Sequence, residues 1–138
     1  MNHLIAYMLV ITMCFALNEA FIKCPDNYIE IRNELGPGRA LQYHCRSKDN
    51  DLGVKYIQQG DPLKRYHFGE KIGSRTLWRC VFKQGLWMQY SADFVAYRGG
   101  NARRCAQERQ WVGRVDGVYL SREQGIPPVF RFRWNKTN

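Results

Sequence analysis

The sequence predicts an all-β fold: a single antiparallel β-sandwich of about seven to eight short strands, stabilised by disulfides. Three observations predict it. Apolar and polar residues alternate with period two from Tyr28 to the end. Turn-forming residues interrupt that alternation at short intervals. Four cysteines, Cys24, Cys45, Cys80 and Cys105, lie beyond residue 20, an even number that suits disulfides in a secreted domain.

The first element is not part of the sandwich. Leu4–Leu17 is an uncharged apolar run, shorter than the ~20 residues a spanning helix needs but suited to the h-region of a signal peptide. Residues 1–20 are therefore expected to be removed, leaving 21–138 as one domain. Cleavage after Ala16 puts Cys14 at the −3 position and cleavage after Ala20 puts Asn18 there, so the mature chain should begin between Leu17 and Phe21. The competing explanation of the same pattern is a buried N-terminal helix.

The strands follow in order. Ile29 and Ile31 alternate with Glu30 and Arg32; Leu41, Tyr43 and Cys45 alternate with Gln42, His44 and Arg46. Tyr66 and Phe68 flank His67. Trp78, Cys80 and Phe82 share a face opposite Leu77, Arg79 and Val81. Val112 and Arg114, then Val118 and Leu120, form two shorter strands. Phe130, Phe132 and Trp134 alternate with Arg131 and Arg133, aromatics inward and arginines outward. Turn chemistry lies between them at Gly36-Pro37-Gly38, Asp49 to Gly53, Gly60-Asp61-Pro62, Gly73-Ser74, Gly99-Gly100-Asn101 and Gly125 to Pro128. Asp116-Gly117 is a two-residue hairpin signal.

Charge bounds the function. The chain carries +9, and loss of Glu19 with the leader leaves 21 Lys and Arg against 11 Asp and Glu, a net +10. Such a field attracts acidic partners. Small basic secreted proteins include ribonucleases, whose acid–base chemistry needs two groups titrating near neutrality. The mature chain offers only His44 and His67, each inside an alternating strand. Gln84-Gly85-Leu86-Trp87 is similar to the His-Gly-Leu-Trp segment of T2 ribonucleases, but glutamine cannot exchange the proton. Asp49-Asn50-Asp51 lacks the bidentate acid a calcium loop requires, since the twelfth position is Gly60. No Cys-x-x-Cys pair is present to hold zinc. No catalytic residue, metal site or cofactor is assigned. Arg98, Arg103, Arg104 and Arg109 crowd around Gly99-Gly100-Asn101, where guanidinium forks suit carboxylate or phosphate recognition. Asn135-Lys136-Thr137 is an N-glycosylation sequon.

These residues also carry a resemblance. Leu41 to Gly53 (LQYHCRSKDNDLG) resembles the His-Cys-x-Ser-Lys-Asp-Asp-Asp-Leu-Gly signature of the plant self-incompatibility S1 proteins, or S-protein homologues. Ile29 to Leu35, Tyr66-His67-Phe68, Thr76 to Cys80, Trp111 to Tyr119 and Arg133-Trp134-Asn135 are similar to further family segments in the same order. The resemblance implies a secreted plant β-sandwich with no catalytic centre, acting as a signalling ligand in self-incompatibility-type communication. The partner would be a membrane receptor or another acidic extracellular molecule, without nucleic acid or membrane insertion, and the protein a monomer. The alternative is a secreted basic hydrolase or antimicrobial effector acting on RNA, wall polymer or membrane.

The chain departs from the family in its cysteines. Many members carry one where Arg109 stands and another near Arg131, whereas this chain has Cys24. The four cysteines alone leave three connectivities open; against the family's order, Cys80 is expected to pair with Cys105 and Cys24 with Cys45. Function is expected to depend on the loop arginines, and reversing Arg103 and Arg104 is expected to leave the fold intact.

Overall fold

The alternating segments pair as strands in a computed structural model that describes residues 2–22, 24–70 and 75–137. The turn expected at Gly73-Ser74 lies outside the described residues. In chain order the strands are β1 (Asn27–Glu34), β2 (Leu41–Arg46), β3 (Asp51–Ile57), β4 (Lys64–Phe68) and β5 (Leu77–Gln84). They continue as β6 (Tyr90–Arg98), β7 (Glu108–Arg114), β8 (Gly117–Ser121), β9 (Val129–Phe132) and β10 (Asn135–Lys136). One five-stranded sheet has the order β4-β1-β7-β8-β9 and the other β10-β6-β5-β2-β3.

The core forms between the inner faces. Ile29, Ile31, Trp111, Val118 and Leu120 of one sheet meet Leu41, Tyr43, Trp78, Phe82 and Phe94 of the other. Full burial of such a side chain contributes roughly 1.5–3 kcal/mol. Phe94 packs against Trp111 at 4.5 Å between centroids and stacks on Phe132 at 5.3 Å, joining the sheets near their middle. The Trp111 indole, buried, donates to the Ala96 carbonyl at 3.0 Å.

Two strands exceed the alternation pattern. β6 faces the core with Ala92, Phe94 and Ala96, but its register against β5 shifts between Trp78 and Arg79. The inserted residue makes Ala96 and Tyr97 both buried, so period two breaks where it would have marked the strand. β3 is a sheet edge with Val54 and Tyr56 exposed, and part of it was expected as a turn.

The sandwich is not wholly antiparallel. β1 pairs in parallel with β7, Ile31 opposite Trp111. That pair decides the disulfides, which are Cys24–Cys105 and Cys45–Cys80 rather than the expected Cys80–Cys105 and Cys24–Cys45. Antiparallel β2 and β5 place Cys45 directly opposite Cys80 inside the core. Parallel β1 and β7 bring their leading segments side by side, and Cys24 and Cys105 occupy those segments. Buried Asn27 clamps the same junction, donating to the Arg104 carbonyl at 3.2 Å and accepting from the Gln107 amide at 2.8 Å.

Two local expectations also shift. The β7–β8 hairpin turns at Val115-Asp116, because Arg114 pairs with Gly117. Gly117 stands within the strand, where an added Cβ would lie 2.3 Å from the Phe132 carbonyl oxygen. In β9, Val118 pairs with Phe132 but Tyr119 with Phe130. The extra residue turns Phe132 inward and leaves Phe130 outside, 42% exposed, edge-on to Tyr119. The chain then leaves β9 and crosses to the other sheet, where Asn135 pairs with Ser91.

Residues 2–22 form a helix, α1 (Asn2–Ile22). Its apolar side chains from Leu4 to Phe15 are exposed, Leu4 at 73% and Phe15 at 67%, so the buried-helix explanation does not hold. Among the described residues no helix is long and apolar enough to cross a membrane.

Candidate functional site

Each end of the sandwich gathers loops, and the Cys24–Cys105 end gathers the arginines. The structure sorts the four singled out in the sequence into two kinds. Arg98 and Arg103 are exposed; Arg104 is half-buried and Arg109 buried. Arg104 is held by Glu70, a carboxylate buried at the end of the core. Its amide donates to Glu70 Oε2 at 2.7 Å and its Nε to Oε1 at 3.4 Å, while the Tyr97 hydroxyl donates to the same Oε1. Arg104 also donates to the Arg98 carbonyl at 2.5 Å. Its first task is structural: it pins the 99–105 loop to the end of β6.

Arg109 is in a different position. It faces inward from β7, its guanidinium carbon 5.2 Å from the centroid of the Tyr97 ring, and donates to the Glu108 carbonyl at 2.7 Å. Among the described residues no carboxylate forms an ion pair with it. Burial pushes this guanidinium below its ordinary value, and the charges of Arg122 and Arg104 push the same way. Tyr97, whose ring lies near both the Arg104 and the Arg109 guanidiniums, is pushed up to about 12 by burial and by its bond to Glu70. The Glu70 carboxyl is raised by burial, but its bonds from Tyr97 and Arg104 outweigh that and hold it below the usual carboxylate range.

Arg104, Arg109 and Arg122 line a polar notch of about 380 Å³ together with Glu108 and Glu123. Arg122 was not singled out in the sequence, although a signal existed. Gln110 pairs with Ser121, so extending the β7–β8 register one step opposes Arg109 to Arg122. Three guanidiniums share this concavity with two carboxylates, and among the described residues buried Arg109 makes no ion pair with either.

The other candidate residues do not assemble into chemistry. His44 and His67 lie on the outer faces of opposite sheets, His44 between inward Tyr43 and Cys45, His67 opposite outward Tyr28. They cannot address one substrate atom as acid and base. His44 Nε2 instead meets Asp51 Oδ1 at 2.5 Å, and the Gly53 amide donates to the same oxygen at 2.9 Å. With the Ser47 amide on the Asn50 carbonyl at 2.7 Å and Gly53 at a φ of +73°, the Leu41–Gly53 motif is a self-braced β2–β3 turn. The Gly53 amide and then His44 lower the Asp51 carboxyl below its ordinary value. Asn135 of the sequon is exposed in β10, while the Thr137 hydroxyl donates to the Gln89 carbonyl at 2.9 Å. All four of Cys24, Cys45, Cys80 and Cys105 are bridged.

Comparison with known proteins agrees with this architecture. The family model described as plant self-incompatibility protein S1 matches residues 28–134. S-protein homolog 14 of Arabidopsis thaliana is 48% identical over 139 residues, covering 99% of each chain. S-protein homolog 25 of the same plant is 41% identical over 138 residues, again covering 99% of each. A solved structure of a self-incompatibility protein homologue, from a widespread family of small, highly stable, secreted plant proteins, superposes with a TM-score of 0.67. It is 30% identical and covers 83% of this chain and 99% of its own.

Proposed function

The chain belongs to the plant self-incompatibility protein S1 family of secreted proteins, and on that premise we propose that it is a non-enzymatic recognition ligand for an acidic extracellular partner. The observation that carries the proposal is buried Arg109, in no ion pair among the described residues, beside Arg104 and Arg122 in the lining of the notch. A buried charge costs several kcal/mol unless something compensates it. Tyr97 compensates part through its ring face and Glu70 part through its charge, and a carboxylate from a receptor would add to these. The +10 field of the mature chain brings such a partner in, and exposed Arg98 and Arg103 extend the basic surface around the site.

The reading includes export. Residues 1–20 act as a signal peptide, residues 21–138 form the secreted monomer, and Asn135 is the glycosylation site. Intact mass of the secreted protein, before and after glycosidase, reads both: retention of Met1 to Leu17 contradicts the first, and an unchanged mass the second.

Recognition is tested with a short poly-aspartate peptide titrated into the secreted protein while the arginine Nε–H resonances are followed by NMR. Saturable shifts centred on Arg104, Arg109 and Arg122, abolished in Arg122→Glu and weakened by added salt, are expected. Shifts confined to Arg98 and Arg103, or none, would refute the notch. The same preparation incubated with RNA and with anionic vesicles tests the hydrolase and effector alternative, which cleavage or leakage would support.

A further inference from the structure

The opposite end of the sandwich carries a second feature, unrelated to the arginine notch. The β5–β6 loop, residues 85–89, projects Leu86 at 91% exposure and Trp87 at 85%. Large apolar side chains at the tip of a floppy loop would mean little, but this loop is braced. Met88 adopts a φ of +53°, a region that costs a non-glycine residue on the order of 1 kcal/mol. The Met88 amide donates to the Gly85 carbonyl at 3.2 Å, and the Trp87 amide to Gln89 Oε1 at 3.0 Å. The Gln89 carbonyl accepts both the amide and the hydroxyl of Thr137. The chain therefore holds two apolar side chains in water by means of a strained and hydrogen-bonded backbone.

Leu86 and Met88 border an open cleft of about 1220 Å³. Tyr90, Phe130 and Trp134 supply aromatic surface to it, and the half-buried Trp134 indole donates to the Arg114 carbonyl at 2.8 Å. Clefts for drug-sized ligands run to about 300–1,000 Å³, so this one has room for several residues of a chain. Its charge is net positive, two arginines against one carboxylate. Arg39 and Arg133 line it, both exposed and neither in an ion pair among the described residues. The acid in its lining, Asp116, already accepts from the Tyr119 hydroxyl at 2.5 Å.

We propose that this cleft is a second docking site, and that its occupant is a peptide segment of a protein partner bearing one bulky apolar side chain flanked by Asp or Glu. The apolar residue packs between Leu86, Met88 and the aromatic lining, and the flanking carboxylates pair with Arg39 and Arg133. A concave site with cations on its rim fits such a segment better than it fits a flat lipid surface, which would engage the projecting tip alone. The site lies at the far end of the strands from the notch and does not depend on it.

The test pans a random heptapeptide library against the secreted protein and measures the best synthetic peptide by calorimetry. Enrichment of aromatic or long aliphatic residues next to Asp or Glu is expected. Leu86→Ser, and separately Arg39→Glu with Arg133→Glu, should each weaken binding by at least about tenfold, while Arg122→Glu leaves it unchanged. All these positions are exposed, so circular dichroism should show an unaltered fold. Failure to enrich, or enrichment of peptides without acidic residues, overturns the proposal. Peptides that respond to Arg122→Glu alone belong to the notch, which overturns the cleft and leaves the proposed function standing. Binding to phosphatidylcholine–phosphatidylserine vesicles that is lost with Trp87, in place of peptide binding, overturns it in favour of a membrane surface.

Discussion

Arg103 and Arg104 are neighbours in the sequence and should behave as opposites. Replacing Arg104 with Ala removes the guanidinium that pairs with Glu70, whose side chain is 3% exposed. Breaking a buried pair from one side costs roughly 3–5 kcal/mol when both partners are buried. Arg104 itself is 35% exposed, so water screens part of that interaction, and Glu70 keeps its bonds from the Tyr97 hydroxyl and the residue-104 amide. Both reduce the loss, to about 2–3 kcal/mol. Arg103→Ala touches an exposed side chain with no ion pair among the described residues and should stay within about 0.5 kcal/mol. Guanidinium titrations of the two variants, read by tryptophan fluorescence and by circular dichroism, compare them on one scale. A loss below about 1 kcal/mol for Arg104→Ala, or equal losses for both, would refute the structural role assigned to Arg104. The same reasoning corrects the expectation that reversing both arginines spares the fold: Arg104→Glu would set a second carboxylate against Glu70.

Three further outcomes are expected. The bridges close loops of 81 residues (Cys24–Cys105) and 35 residues (Cys45–Cys80), for which chain entropy predicts losses of about 4.5 and about 3.8 kcal/mol on double Cys→Ser replacement; a Cys80–Cys105 peptide in a non-reducing digest would contradict the pairing. Gly117→Ala should cost about 1–3 kcal/mol and displace β9, because the new methyl would meet the Phe132 carbonyl at 2.3 Å; an unchanged denaturation midpoint would show that β9 does not pass there. Glu70 titrates below its unfolded value of about 4.3, so the stability it contributes is fully present above that pH and is lost as pH falls through its lower folded value. Glu70→Gln should therefore flatten the acid limb of the stability–pH profile, and an identical acid limb in variant and wild type would rule that out.

The features legible in the sequence are those written locally. Period two placed Ile29, Tyr43, Cys80 and Phe82 in the core, because a strand's faces follow from the parity of its residues alone. The Leu41–Gly53 motif was readable for the same reason: every bond of its turn is made within a few residues. Parity failed where one extra residue entered a ladder, hiding β6 behind the Ala96-Tyr97 step and turning Phe130 outward. What only the tertiary structure decided is which distant segments become neighbours. Nothing local distinguishes a chain in which β1 lies beside β7 from one in which it does not, since that choice is made by the fit of two whole sheets around one core. Yet that pairing sets Cys24 against Cys105, and, with the β7–β8 hairpin, brings Arg104, Arg109 and Arg122 to one notch. It also separates two adjacent arginines into one that holds the fold and one that faces solvent, because burial belongs to a place in the sandwich and not to a residue type.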